Sequence, residues 1–99
     1  MEKGGCVYIM TNERNTTLYV GVTADLYSRV VSHRTREHPK SFTARYNLTE
    51  LVYYELFHSI EEAIAREKQI KGGSRKSKEK LVKLINPEWK DLFDEVSKW

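Results

Sequence analysis

With 99 residues, a formal net charge of +3 and a sequence pI of about 9.0, the chain has the size of one small domain and a mildly basic balance. Its one cysteine, Cys6, excludes an internal disulfide and cannot form a zinc site alone, and no apolar run reaches the length of a membrane span. With no signal peptide read at the start, one domain over residues 1–99 in the cytoplasm is expected.

In chain order, Met1 to Gly5 reads as a frayed start, with Gly5 at the entry into a first strand. Cys6-Val7-Tyr8-Ile9-Met10 and Leu18-Tyr19-Val20-Gly21, separated by the polar run from Thr11 to Thr16, form a β-hairpin pattern. Side chains alternate along a strand, so Tyr8 points with Cys6 and Met10, and Tyr19 points away from Leu18 and Val20. If the strands pair, both phenols can face one side. Cys6 itself reads as a small core residue.

A helix is expected to start near Thr23 to Asp25, both good N-caps, and to fade near Glu37 to Pro39. It places Asp25, Arg29 and His33 at i, i+4 and i+8, on one face. Two tyrosines, an arginine and a histidine make a cluster suited to a phosphate. A loop with Ser41, Phe42, Thr43, Arg45 and Tyr46 follows, and then Leu51 to Phe57 reads as a third strand, either the middle or the second edge of a small antiparallel sheet. Tyr27, Tyr46, Tyr53 and Tyr54 read as packing or surface residues.

Ser59-Ile60-Glu61-Glu62 is a capping box that opens a helix with the apolar stripe Ile60, Ala63, Ile64 and Ile70. Glu67 falls within that stripe rather than with Glu61, Arg66 and Lys68. A carboxylate there is a metal ligand, a partner of Arg29, or a group that reaches solvent at the helix end. Gly72-Gly73-Ser74 breaks the helix and caps another, whose stripe is Leu81, Leu84 and Ile85. Helix, glycine turn and basic helix also describe a helix-turn-helix. Asn86-Pro87 is expected to open a last helix with Trp89, Leu92, Phe93 and Val96 on one face and Trp99 trailing.

The basic residues are grouped. Arg29, Arg34, Arg36, Lys40 and Arg45 form one stretch, with His33 and His38 among them; Lys68, Lys71, Arg75, Lys76, Lys78, Lys80 and Lys83 form another. Such patches suit nucleic acid, although a solvated helix face looks the same in sequence.

The order Val7-Tyr8, Tyr19-Val20-Gly21, Arg29, His33 and Glu67 resembles the GIY-YIG nuclease superfamily. That group includes the N-terminal nuclease domain of UvrC-type excision enzymes, certain homing endonucleases and structure-specific nucleases. Ser41-Phe42-Thr43, the run from Arg66 to Gly72 and Asn86-Pro87-Glu88-Trp89 look closest to its small single-domain bacterial members.

The resemblance implies an α/β (α+β) fold with a small three-stranded antiparallel sheet flanked by helices, and a metal-dependent DNA endonuclease in repair or processing. It implies Tyr8, Tyr19, Arg29, His33 and Glu67 as catalytic residues, with Glu67 holding a divalent Mg²⁺ or Mn²⁺; Tyr19 is the expected general base, with Tyr8 and His33 as the alternatives, and His33 could instead orient a tyrosine or contact phosphate. Arg29, Arg34, Arg36, Lys40, Arg45, Lys71 and Arg75 would meet DNA, and neither a membrane nor a small-molecule cofactor is expected. The chain departs from the family pattern where Cys6 replaces a glycine, Val22 a lysine and Gly73 an aromatic, and an asparagine after the metal-ligand helix has no counterpart at Glu79 or Asn86. A non-catalytic nucleic-acid-binding module on the same fold is the alternative, and a small protein binding an acidic partner is a third reading.

Overall fold

The computed structural model describes residues 4–99; the expected frayed start falls, for residues 1–3, outside them. Three strands, β1 (Gly5–Thr11), β2 (Leu18–Thr23) and β3 (Glu50–Phe57), form an antiparallel sheet in the order β2-β1-β3. The third strand is therefore the second edge, and β1 is the centre. Every residue of β1 is buried, because helices cover both faces of the sheet.

Alternation in β1 divides the core. Cys6, Tyr8 and Met10 pack on one face with Leu26 and Val30 of α1 (Leu26–Arg34), Leu48, and Val96 of α5 (Phe93–Val96). Val7 and Ile9 pack on the other with Ala63 and Ile70 of α3 (Ile60–Lys71) and Val82 of α4 (Arg75–Ile85). Gly5 lets α3 approach: a Cβ there would lie 2.7 Å from Ala63 Cβ and 2.8 Å from Ile60 Cα. Its place is in the strand beneath a helix rather than in a loose entry segment.

Three helices begin on side-chain caps that the sequence announces. Asp25 accepts from the Ser28 N–H, Ser59 from the Glu62 N–H and Ser74 from the Ser77 N–H. Elsewhere the structure corrects the reading. The first helix stops at Arg34, short of Glu37 to Pro39, because Thr35 caps it and Arg36 turns to φ 54°. The expected loop after Pro39 contains a one-turn helix, α2 (Phe42–Arg45), capped by Ser41.

In α4 the buried residue is Val82, while Leu84 is 80% exposed and Ile85 is also in solvent. Ile64 of α3 is exposed, and Arg66 turns inward to pair with Glu55 at 3.2 Å. Asn86 caps the end of α4 instead of opening a helix. Its Nδ2 donates to the carbonyls of Val52 (3.1 Å) and Lys90 (2.8 Å), and its Oδ1 accepts from the Lys90 N–H (3.0 Å). The segment continues as a turn with Trp89 at φ 55°, half-buried against the α3–α4 side of the core. Asp91 and Leu92 then cover the β3 edge: the Leu51 N–H donates to Asp91 Oδ1 (3.1 Å), and the Leu92 N–H to the Leu51 carbonyl (2.7 Å).

Candidate active site

The antiparallel register sets Tyr8 opposite Gly21 and Met10 opposite Tyr19, so the two tyrosines lie diagonally on the α1 face. Their ring centroids are 6.2 Å apart, and His33 of α1 stands 5.8 Å from each. Gly21 makes this possible. A Cβ at that position would lie 2.4 Å from Cζ and from the hydroxyl of Tyr8, so the residue opposite the phenol has to be glycine.

Tyr8 is 1% exposed, and its hydroxyl is 3.0 Å from His33 Nε2. The other ring nitrogen, Nδ1, is 2.8 Å from Thr43 Oγ1, which is 3.2 Å from Ser41 Oγ. Burial drives the Tyr8 phenol far above its ordinary value, with the neighbouring Tyr19 adding to the rise. Burial, with Arg29 and His38 adding, pushes His33 down to about 4. Both groups are therefore neutral near pH 7. The Tyr8 hydroxyl shares one hydrogen bond with Nε2 and the Thr43 hydroxyl shares another with Nδ1, and in a neutral ring one nitrogen donates while the other accepts.

Arg29 and His33 share one face of α1, as their spacing predicts, and with Tyr19 they line a cleft of about 190 Å³. Ser32, Arg36, His38 and the Ser41–Thr43 run complete its walls. Thr43 and Phe42 were visible only as part of a motif run. Thr43 joins His33 across ten residues, a contact that no helical or strand period encodes. Cys6 is a buried, neutral thiol on the same sheet face, with burial pushing it up to about 12.

Glu67 sits near the end of α3, with its side chain 15% exposed and Oε2 3.0 Å from Lys71 Nζ. Its ion-pair partner is thus Lys71 and not Arg29. That same Nζ stands 5.9 Å from the Tyr19 ring centroid, which places Glu67 on the Tyr19 side of the cluster. Among the described residues no three His, Cys, Asp or Glu side chains gather as a metal cage. A single half-buried carboxylate fits an ion that keeps most of its water, as Mg²⁺ does, and not one that demands four protein ligands.

The basic residues divide in two. Arg34 pairs with Asp91 at 2.6 Å, donates to the Thr49 carbonyl and lies over the Phe93 ring. Arg75 pairs with Glu79 and donates to the carbonyls of Asn15 and Thr16, each at 2.6 Å. Both guanidinium groups are committed to holding the fold. Arg29, Lys40 and Arg45 are exposed and make no ion pair among the described residues, while Arg36 donates to Asn47 Oδ1 at 2.6 Å.

The GIY-YIG catalytic domain matches residues 4–80. A UPF0213 protein of Natronomonas pharaonis is 40% identical over 76 residues, covering 77% of this chain and 87% of that protein. One of Staphylococcus haemolyticus is 37% identical over 76 residues, covering 77% and 90%. The solution NMR structure of a UPF0213 protein from Bacillus halodurans aligns with a TM-score of 0.55 at 31% identity, over 88% of this chain and 90% of that one. With the matched span taking in most of the chain, from β1 into α4, the chain belongs to the GIY-YIG catalytic domain family.

Proposed function

We propose that this chain is a metal-dependent DNA endonuclease that hydrolyses phosphodiester bonds at the Tyr8–Tyr19–His33 cluster. Membership of a nuclease family supports the reaction class. The observation that carries the reading is that Tyr19, Arg29 and His33 meet in one cleft, with the Glu67 carboxylate linked to Tyr19 through the Lys71 ammonium between them.

Arg29 offers a planar guanidinium fork to the scissile phosphate and cannot lose its proton. Tyr19, on the cleft wall, acts as the phenolate that accepts the proton of the attacking water, the cations beside it favouring that form. Tyr8 is the less suited to that role, being buried against His33 with burial holding its phenol in the neutral form. His33 positions Tyr8, and Thr43 holds the imidazole ring in place. Glu67 would hold the divalent ion; once bound, that ion supplies Lewis acidity toward the phosphoryl and leaving oxygens. Arg36, Lys40 and Arg45 bring the backbone of the substrate to the cleft, and Lys71 adds a positive charge beside Tyr19.

The Glu67–Lys71 pair supports a second reading, in which the carboxylate is a structural partner and the chain binds nucleic acid without cutting it. Labelled single-stranded, duplex, flap and nicked DNA incubated with Mg²⁺, Mn²⁺ or chelator separates the two. The nuclease cuts only with metal, and Glu67→Ala and Tyr19→Phe abolish cutting while salt-sensitive binding persists. Undiminished binding with no cutting by the wild type on any substrate would leave the non-catalytic module.

A further inference from the structure

Phe42 and Tyr46 are two large aromatic side chains that the fold leaves in solvent at the rim of the cleft, 47% and 45% exposed. They stand four residues apart at the short α2 turn, with ring centroids 4.6 Å apart. The same turn directs Thr43 inward to His33, and the Leu48 N–H donates to the Thr43 carbonyl at 2.8 Å. The turn is thus anchored on its inner side, and its outer side presents the rings. Phe42 borders the cleft itself, 6.1 Å from the Tyr19 ring, and the Arg45 guanidinium lies 5.9 Å from the Tyr46 ring centroid.

The surroundings are those of a polyanion site. Between residues 29 and 49 the only acid is Glu37, against Arg29, Arg36, Lys40 and Arg45, with Arg34 already paired to Asp91. An apolar protein partner would find these rings ringed by cations. A nucleic acid supplies both phosphates for the arginines and flat π faces for the rings.

We propose that Phe42 and Tyr46 form a stacking platform for an unpaired base next to the phosphate held at Arg29, so that this site takes single-stranded or splayed nucleic acid in preference to paired duplex. The proposal rests on reading the cleft as a phosphate site. Bases inside a duplex are already stacked on both faces and have none free for a protein ring. A base in a single strand, flap or gap has one.

The test is binding, without metal and without cleavage. Fluorescence anisotropy with chelator compares one labelled strand, the same strand in duplex and the same strand as a flap, at fixed salt. The strand and flap are expected to bind more tightly than the duplex. Phe42→Ala and Tyr46→Ala should each weaken strand binding by about five- to a hundredfold while leaving duplex binding unchanged. Phe42→Leu, which keeps apolar bulk but not the π face, should behave like Phe42→Ala and melt like the wild type. A fluorescent purine analogue in the strand should be quenched by the wild type and not by Phe42→Leu.

Tighter duplex binding, or equal losses on strand and duplex, would overturn the platform while leaving the nuclease reading intact. Binding to neither strand nor duplex would overturn both.

Discussion

The Tyr8 hydroxyl lies 3.0 Å from His33 Nε2, and this bond ties the pH dependence of stability to the site. Burial holds His33 down at about 4 in the folded chain, below its ordinary 6.5. Between those values the unfolded chain binds a proton that the folded chain refuses, so stability is full above about pH 6.5 and falls as the pH drops toward 4. Discounted for solvent screening, the loss is on the order of 1–2 kcal/mol. Urea midpoints at pH 7.5 and 4.5 check it: the wild type should lose more over that interval than His33→Gln, which has no group titrating there. Parallel losses would show that His33 is not the source.

Gly21→Ala should damage the site more than any exposed substitution. The new methyl would meet the end of the Tyr8 ring, which is buried and bonded to His33, so neither partner can step aside freely. Overpacking of this kind costs about 1–3 kcal/mol. The urea midpoint of Gly21→Ala should fall accordingly, and cleavage should fall further than the lost folded fraction explains because Tyr8 and Tyr19 are misplaced. An unchanged midpoint with normal cleavage would mean that the tyrosines pack less tightly than their 6.2 Å separation indicates.

The part of this site legible in sequence is the part written in short periods. Alternation placed Tyr8 and Tyr19 on one face, and the four-residue step from Arg29 to His33 placed them together on α1. What escaped was set by partners distant in sequence. Asn86 before Pro87 has the local signature of a helix start, yet its amide is taken by the Val52 carbonyl 34 residues away. Leu84 and Ile85 continue an apolar helical pattern into solvent, while Leu81 and Val82 are the α4 residues that meet the core. Glu67 is half-buried where Lys68 is exposed, but Arg66 is half-buried too, and the ion-pair partner of Glu67 is Lys71 one helical turn on rather than Arg29 across the site.

Not every arginine of the basic stretches should matter to DNA. Arg75 links α4 to the β1–β2 loop through the Asn15 and Thr16 carbonyls, and its replacement leaves those acceptors without their donor. Arg75→Ala should lower stability by about 1–2 kcal/mol and change DNA affinity little. Arg36→Ala, on the cleft wall, should do the reverse: a melting temperature near that of the wild type, weaker DNA binding, and a salt slope of log Kd reduced by about one. Melting curves and salt titrations on both variants decide the matter, and identical behaviour of the pair would contradict the division.

Lys71 and a divalent ion would compete for one carboxylate. In the structure Nζ is 3.0 Å from Glu67 Oε2 and stands over Tyr19, so a positive charge sits beside that phenol although Val22 supplies none. Lys71→Met removes the competitor while keeping most of the aliphatic stem. Half-exposed ion pairs of this sort are worth little, so Mn²⁺ should bind Lys71→Met more tightly by at most about fivefold, read by electron paramagnetic resonance without DNA. DNA affinity in chelator should fall, because a cation near the cleft is lost. Glu67→Gln should bind no Mn²⁺ at this site in either background. If Lys71→Met left metal affinity unchanged while Glu67→Gln still bound Mn²⁺, Glu67 would be the structural partner of a lysine, and the ion would need another ligand.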